Sequence, residues 1–583
     1  MWPSNREHPM PMKALLRYLI IPLCLIATSD CSHVMADDED AAFEYREIYL
    51  PENQTKEGER LGLNNVDRDW GLWGHKLSRV LPERHSRSVY ATIGGTSNDE
   101  QFCFSSNQLF HYIEDYIVDN YGERHTSRFA ILPNDNRLVC QCAQCVAKGC
   151  TDTDAAPAVF DMIRRLAERF PNHQFFTSQY MSTRSQPRHP MPANTGVLVS
   201  AIRYRLTAVP SPREEEFTNT LKLWTQVTPN VYVWDYINNF DDYFTPYPIF
   251  TVMQRRLRLY AKAGVRGVFL NGSGHDYSSF SRLHTHVLSA LLHDPDTDWR
   301  SLLLQKSREF YPVTGDVVAH FLMRLEDKVQ KYEGVLPIYD GVGAALRGYL
   351  DGPDFIAFHN ALGQMLARTS GAEHEEISLL HRTLMLTHLE LKRLNGDISK
   401  AEPMLQQLES VADDDVRIYS ESFWTIDSYV ADYRAMCAQA PEARKNKLLG
   451  QSVVAVTKLD EEYTDLSILT DGLISLPSNY HCGQLISSAD PWLRLAIPNP
   501  GGLRRVRVGF TNNVQFHIAL PLRVTLSCNG RDIATVQPQS QGSIAQRATA
   551  EFAIPSWAQG SLLLTIVRNK EERTMAIDEI EGY

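Results

Sequence analysis

The chain has 583 residues, a formal net charge of −12, 43% hydrophobic residues and 10% aromatic residues. That length exceeds what one hydrophobic core supports, so several domains are expected. The acidic balance, with no cluster of Lys and Arg, excludes a nucleic-acid-binding face, while 25 Tyr and 9 Trp suit sugar stacking and ordinary cores equally well.

At the N-terminus, Lys13 and Arg17 precede an apolar run from Tyr18 to Ala27. The run is too short to span a bilayer as a helix. Val34-Met35-Ala36 then offers small residues placed for signal-peptidase cleavage before Asp37. Residues 1–36 therefore read as a signal peptide, and the mature chain is expected to be exported: periplasmic, secreted or at the outer-membrane surface. A lipoprotein cut before Cys31 is the alternative, although Asp30 suits that cut poorly. Lipidation there is the one membrane attachment expected.

Phe43 to Leu50 alternates as a strand and carries Arg46 and Glu47. Trp70-Gly-Leu-Trp73-Gly-His75 is an aromatic segment, and Val89 to Gly95 is a strand closed by two glycines. Gln108 to Asn120 patterns as an amphipathic helix. Phe129 to Leu132 reads as a buried strand that breaks at Pro133 and sets Asn134, Asp135 and Asn136 just past its end. A helical pattern from Val159 to Phe170 follows. Further short apolar strands lie at Gln174 to Tyr180, Val197 to Ile202, Val231 to Tyr236 and Gly267 to Leu270. Glu216 to Thr225 and Ile249 to Ala263 are helical patterns between them. Strands alternating with helices in this number predict a (β/α)8 TIM-type barrel over residues 37–310.

Several of these strands deliver polar residues where a barrel builds its site. Val231 to Tyr236 brings Asp235 and Tyr236. Gly267 to Leu270 brings Asn271, followed by His275 and Asp276. Val197 to Ile202 brings Arg203, Tyr204 and Arg205. Any one of these residues reads as well as a solvated loop; the coincidence of several favours a site.

Of the ten cysteines, Cys103, Cys140, Cys142, Cys145 and Cys150 form a cluster. A single C-x-C-x-x-C without a second knuckle is a weak zinc signal. A disulfide within the cluster, reaching Cys103 in one version, is preferred for an exported chain. Free thiols and a metal knuckle are the alternatives. No cofactor and no bound metal is expected.

From Ser301 to Ala440 the pattern is helical, an all-α appendage over residues 311–445. Thereafter short strands punctuated by Pro, Gly and Asn predict an all-β, jelly-roll-like sandwich over residues 446–583. Leu469-Thr-Asp471-Gly reads as its opening turn, and Trp492 is expected in its core.

Phe43-Glu-Tyr-Arg-Glu47, Trp70-Gly-Leu-Trp-Gly-His75, Pro133-Asn-Asp-Asn136 with Cys140-Gln-Cys-Ala-Gln-Cys145, Trp234-Asp-Tyr236 and Gly267-Val-Phe-Leu-Asn-Gly272 occur in that order. Together they resemble a bacterial, largely Bacteroidetes, secreted barrel domain of unknown function. Some of its members are endo-β-N-acetylglucosaminidases acting on N-glycans, and it is distantly similar to α-glucuronidases. The resemblance covers residues 40 to 440. The final segment resembles a discoidin-type, galactose-binding-like sandwich, with Asp578-Glu-Ile580 near its end as a second mark.

The resemblance implies a glycoside hydrolase acting on a complex glycan, a type of enzyme often found in polysaccharide utilisation. In its acetamide-assisted form one carboxylate orients the substrate amide and another is the general acid. Asp235 and Asp135 are the expected catalytic carboxylates. Glu47, Trp73, His75, Asn134, Arg203, Tyr236, Asn271 and Asp276 are the expected sugar contacts. Arg203 departs from the pattern, because a catalytic glutamate is expected at the end of its strand and an arginine cannot protonate a leaving group. The alternatives are a hydrolase of uronate-containing polysaccharide, with Arg203 and Arg205 pairing the acidic sugar, and a protein that binds glycans without cutting them.

Overall fold

The computed structural model describes residues 41–583 except 125, 205–206, 208, 396, 439–445, 461–462, 480–482, 489–490, 540–544 and 570–573. The expected signal peptide, Cys31, Arg205 and Cys482 lie outside the described residues. Among the described residues no helix is long and apolar enough to cross a membrane.

Seven strands form one parallel sheet: β1 (Tyr45–Tyr49), β2 (Trp70–Leu72), β5 (Arg128–Ala130), β6 (Gln174–Gln179), β7 (Thr195–Ser200), β8 (Asn230–Tyr236) and β9 (Gly267–Asn271). Their spatial order is β1-β9-β8-β7-β6-β5-β2. Tyr45, Trp70, Phe176, Leu198, Tyr232 and Phe269 come from strands along the whole sheet yet pack in one cluster, so the sheet curls into a barrel-like half-closed form. Gly196 and Gly267 make this possible. A Cβ on Gly196 would stand 2.2 Å from the Phe176 ring, and one on Gly267 would stand 2.7 Å from the Tyr232 ring.

This departs from the expected closed eight-stranded barrel. The segment predicted as a strand at Val89 to Gly95 leaves the sheet and forms an antiparallel hairpin, β3 (Tyr90–Ile93) with β4 (Thr96–Phe102). Between the sheet edges β1 and β2, coil takes the place of a strand. Asn64 N–H donates to the Arg46 carbonyl at 2.7 Å, Val66 N–H to Glu47 Oε1 at 2.9 Å, and Trp70 Nε1 to the Tyr45 hydroxyl at 2.9 Å.

Helices cover the outer face of the sheet, including Asn107–Asn120, Ala156–Arg169, Pro212–Thr225, Phe250–Lys262 and Ser281–His293. The helices from Trp299 to Ala438 follow directly, and the hydrophobic core runs through the change: one cluster extends from Phe43 to Leu391. A second cluster joins Phe240, Tyr243 and Phe244, in the loop after β8, to Leu389, Tyr419 and Tyr433.

The C-terminal segment forms two sheets. One holds β10 (Val454–Ala455), β12 (Trp492–Ile497), β14 (Arg523–Cys528), β15 (Arg531–Val536) and β17 (Leu562–Val567). The other holds β11 (Leu485–Ser487), β13 (Arg505–Asn513), β16 (Ala545–Ala553) and β18 (Met575–Gly582). Alternate residues of both sheets, such as Leu495, Ile566, Val508 and Ile577, share one separate hydrophobic cluster. Trp492 is not in it. Its side chain is on the outer face, 48% exposed, beneath the Arg494 guanidinium.

Candidate functional site at the barrel mouth

Register fixes which residues face inward. Glu47 and Trp234 both pair with Phe269, and one step further along Tyr49 and Tyr236 both pair with Asn271. Side chains alternate along a strand, so Glu47, Trp234 and Phe269 form one inward layer, with Tyr49, Asn271 and Tyr236 the layer above it at the C-terminal mouth. Trp73 stacks on Trp234 with centroids 5.0 Å apart and meets Phe269 at 4.7 Å. An aromatic floor thus lies under a polar rim.

Glu47 is fully buried in that lower layer. Oε1 accepts from Val66 N–H, and the Tyr45 hydroxyl donates to Oε2. Burial dominates over these bonds and pushes its carboxyl up to about 8. Burial thus favours its protonated form, and the side chain closes the sheet edge.

The loop after β5 is built by alternation. Asn134 and Asn136 both turn toward the hairpin, their Nδ2 atoms donating to the Glu100 carbonyl at 2.9 and 2.7 Å. Gln101 Nε2 answers by donating to Asn136 Oδ1 at 3.0 Å. Asn134 thus anchors the loop through its amide nitrogen. Asp135, between the two, has no such anchor: its Oδ1 is buried with no hydrogen-bond partner among the described residues. Its charge reaches the Tyr236 hydroxyl, which is pushed up first by burial and further by the carboxylates of Asp235, Glu421 and Asp135. Trp234 Nε1, on the floor, is a second buried polar atom without a partner.

The other side of the mouth carries Asp276. Burial raises its carboxyl, against the opposing pull of His275. Tyr49 is pushed up to about 12, by burial first and then by Asp67, Glu47 and Asp276. Tyr243 is raised by burial, then by Glu421 and Asp276. Asp135, Glu421, Asp276, Asp67 and Glu47 thus bear on one ring of tyrosines. His75 binds the Pro133 carbonyl through Nδ1 at 2.6 Å and lies 6.0 Å from the Tyr180 ring, so it stands beside the Asp135 loop.

Asp235 bears on Tyr236 from the other face of the sheet and does not enter the mouth. It shares the outer face of β8 with Val231 and Val233, beneath the helices. Its Oδ2 accepts from Arg256 Nε at 2.7 Å and from the Tyr260 hydroxyl at 2.5 Å, and its Oδ1 from Tyr236 N–H at 2.9 Å. Both members of the Asp235–Arg256 pair are 1% exposed. The expected catalytic carboxylate is therefore committed to a buried ion pair outside the barrel. Arg203 is exposed, on the short turn Ile202–Tyr204 after β7. Sequence reasoning missed Glu421, which comes from the helical segment, and the roles of Tyr49, Asp67 and Tyr243. The strand-end position of Tyr49 was the one available signal.

The cysteine cluster lies behind the Asp135 loop. Cys103, Cys140, Cys142, Cys145 and Cys150 are brought together as expected, but all are free thiols, and the expected disulfide is not formed.

No curated protein sequence matches the chain. Among solved structures, it is similar to a family GH115 4-O-methyl-α-glucuronidase with specificity for decorated arabinogalactans, at 12% identity and a TM-score of 0.33. That match covers 82% of this chain but only 66% of the glucuronidase, just under two thirds of its length. A GH138 enzyme targeting pectin rhamnogalacturonan II matches at 9% identity and a TM-score of 0.31, over 81% of this chain and 76% of that one. A chitosan-binding module from a Paenibacillus chitosanase/glucanase matches at 13% identity and a TM-score of 0.17, covering 24% of this chain and 99% of the module. The family model described as "Domain of unknown function (DUF4838)" matches residues 30–323, half of the chain, and the protein belongs to that family.

Proposed function

We propose that the protein is a glycan-active hydrolase whose site is the barrel mouth. The observation that carries this reading is Asp135 Oδ1, a carboxylate oxygen buried without a partner among the described residues, on the loop that leaves a sheet whose interior is floored by stacked tryptophans. Buried polar atoms are satisfied in native proteins, so this one calls for a ligand donor, and an aromatic floor suits the apolar face of a sugar ring. Hydrolysis needs a second carboxyl that keeps its proton. Asp276 is assigned that role: burial shifts its carboxyl toward the protonated form, and it sits on the loop after β9. Glu47, lower in the barrel and saturated by Val66 and Tyr45, supports the layer beneath them. The acetamide-assisted mechanism is the finer version of this reading, with Asp135 in place of Asp235 as the carboxylate that orients the substrate amide.

The test is reducing-end release from N-glycan and uronate-containing oligosaccharides. Asp135→Asn and Asp276→Asn are expected to lower kcat by about 10²–10⁴ with melting temperature unchanged. Full activity in either variant removes its residue from the mechanism. The exposed Arg203, standing where the resemblance implies a catalytic glutamate, favours a second reading, retention of an acidic glycan without cleavage. Under that reading the same panel gives binding lost in Arg203→Ala and no new reducing ends.

A further inference from the structure

Four cysteines from two separate segments converge behind the Asp135 loop. Cys103 directly follows β4. Cys140 and Cys142 follow Val139, and Cys145 lies in the short helix Ala143–Ala147. Their four Sγ atoms all lie within 4.8 Å of one another. Cys103 Sγ is 3.7 Å from Cys142 Sγ and 3.8 Å from Cys145 Sγ. A disulfide needs sulfurs about 2 Å apart. A tetrahedral ion with zinc–sulfur bonds of about 2.3 Å sets its sulfurs about 3.8 Å from one another. The two Cys103 spacings match that tetrahedron's edge, and the whole set stays within 4.8 Å.

The surroundings of the sulfurs also fit. Thr92 N–H points at Cys140 Sγ at 3.3 Å, and Cys145 N–H at Cys142 Sγ at 3.4 Å. Ser105 Oγ lies 3.2 Å from Cys145 Sγ. Backbone N–H donors aimed at sulfur favour thiolates and orient them as metal ligands. Cys103, Cys140 and Cys145 are buried, which keeps the set away from competing solvent.

We propose that Cys103, Cys140, Cys142 and Cys145 form a structural metal site for a soft divalent cation, with zinc as its occupant. All four positions are filled by protein sulfur, so the site is closed to substrate and its work is mechanical. The ion joins the end of the β3–β4 hairpin to the loop after β5. The same two segments are already joined on their other side by Asn134, Asn136 and Gln101. Asp135 lies between the two asparagines of that fastening, five residues before Cys140. The sequence offers one C-x-C-x-x-C knuckle, and its fourth ligand is Cys103, across the fold. The assignment stands whether or not the mouth hydrolyses glycans.

The full-length chain, purified without chelator, is expected to carry one zinc per chain by elemental analysis. Cys142→Ser and Cys145→Ser are expected to hold at least about tenfold less, while Cys437→Ser holds the full amount. Should the ligand variants fail to fold, cobalt(II) added to the metal-stripped wild-type chain decides. The intense charge-transfer and d–d absorption of a tetrahedral cobalt thiolate supports the site. The proposal is overturned if the chain stays metal-free after zinc is supplied under reducing conditions. It is equally overturned if non-reducing peptide mapping finds two of the four cysteines joined to each other in the native protein.

Discussion

Two buried carboxyls, Glu47 and Asp235, show how the same side-chain chemistry is put to different ends by its partners. Asp235 is held by Arg256 and Tyr260 with both ions withdrawn from water. Removing one member of such a pair leaves an uncompensated charge, at a cost of about 3–5 kcal/mol. Asp235→Ala is therefore expected to lower the melting temperature steeply, and an Asp235→Ala variant that melts like the wild type but is inactive would return Asp235 to catalysis. Glu47 has no cation, and burial raises its carboxyl from 4.5 to about 8. A carboxyl raised in the fold stabilises fully below its unfolded value, and that contribution is lost as pH rises through the folded value. Wild-type stability should therefore fall between pH 4.5 and about 8 by more than that of Glu47→Gln, whose amide keeps an acceptor for Val66 and cannot ionise. The gap between the two proteins, from denaturant titrations at several pH values, is expected to reach a few kcal/mol. Parallel pH curves for the two proteins would show that Glu47 is ionised in the fold.

Elements built on long apolar runs could be read from the sequence, and those built on short or polar runs could not. Val197, Val231 and Gly267 open strands that the sequence places within two residues. Trp70–Leu72 escaped because three residues containing a glycine show no periodicity. Thr96–Phe102 escaped because Thr-Ser-Asn-Asp-Glu-Gln is polar throughout and pairs only with β3. The facing of Asp235 was illegible for a different reason. A parallel strand is apolar on both faces, so Val231, Tyr232, Val233 and Trp234 do not reveal which side is the interior. Asp135 was found because Pro133 ends its strand; Glu421 was hidden because it arrives from a loop nearly two hundred residues beyond β8. Between elements, the helix Phe250–Lys262 starts at a carboxylate supplied by another helix. Glu326 accepts from Phe250 N–H at 2.8 Å and Thr251 N–H at 2.9 Å. These are end donors that the helix cannot satisfy itself. Glu326→Ala should destabilise the protein by about 2–3 kcal/mol. A thermal melt within experimental error of wild type would mean that water replaces the cap at no cost.

At the scale of the whole molecule, the position of the cores decides which pieces can stand alone. The change at residue 311 is one of secondary structure and not of packing. Phe321, Leu325 and Phe358 belong to the cluster that holds Phe43 and Phe269's neighbours Val268 and Leu270. Phe240, Tyr243 and Phe244 have the later helices as their apolar partners. A piece ending at residue 310 would expose that surface and lose the Glu326 cap together. It is expected to aggregate or to melt without a cooperative transition. The C-terminal sheets keep a cluster of their own, from Leu448 to Ile580. Their ties to the helices include polar ones, Arg393 donating to the Ile474 carbonyl at 3.2 Å and Ser478 N–H to Asp432 at 2.8 Å, and the edge contact of Phe516 with Trp424. Leu476 is the buried apolar residue that crosses into the helical cluster. Residues 446–583 expressed alone should therefore unfold in one cooperative step, which circular dichroism on the separate pieces would measure. If the 41–310 piece melted as sharply as the full chain, the helices would be an appendage after all, and Glu421 would reach the mouth from a separable domain.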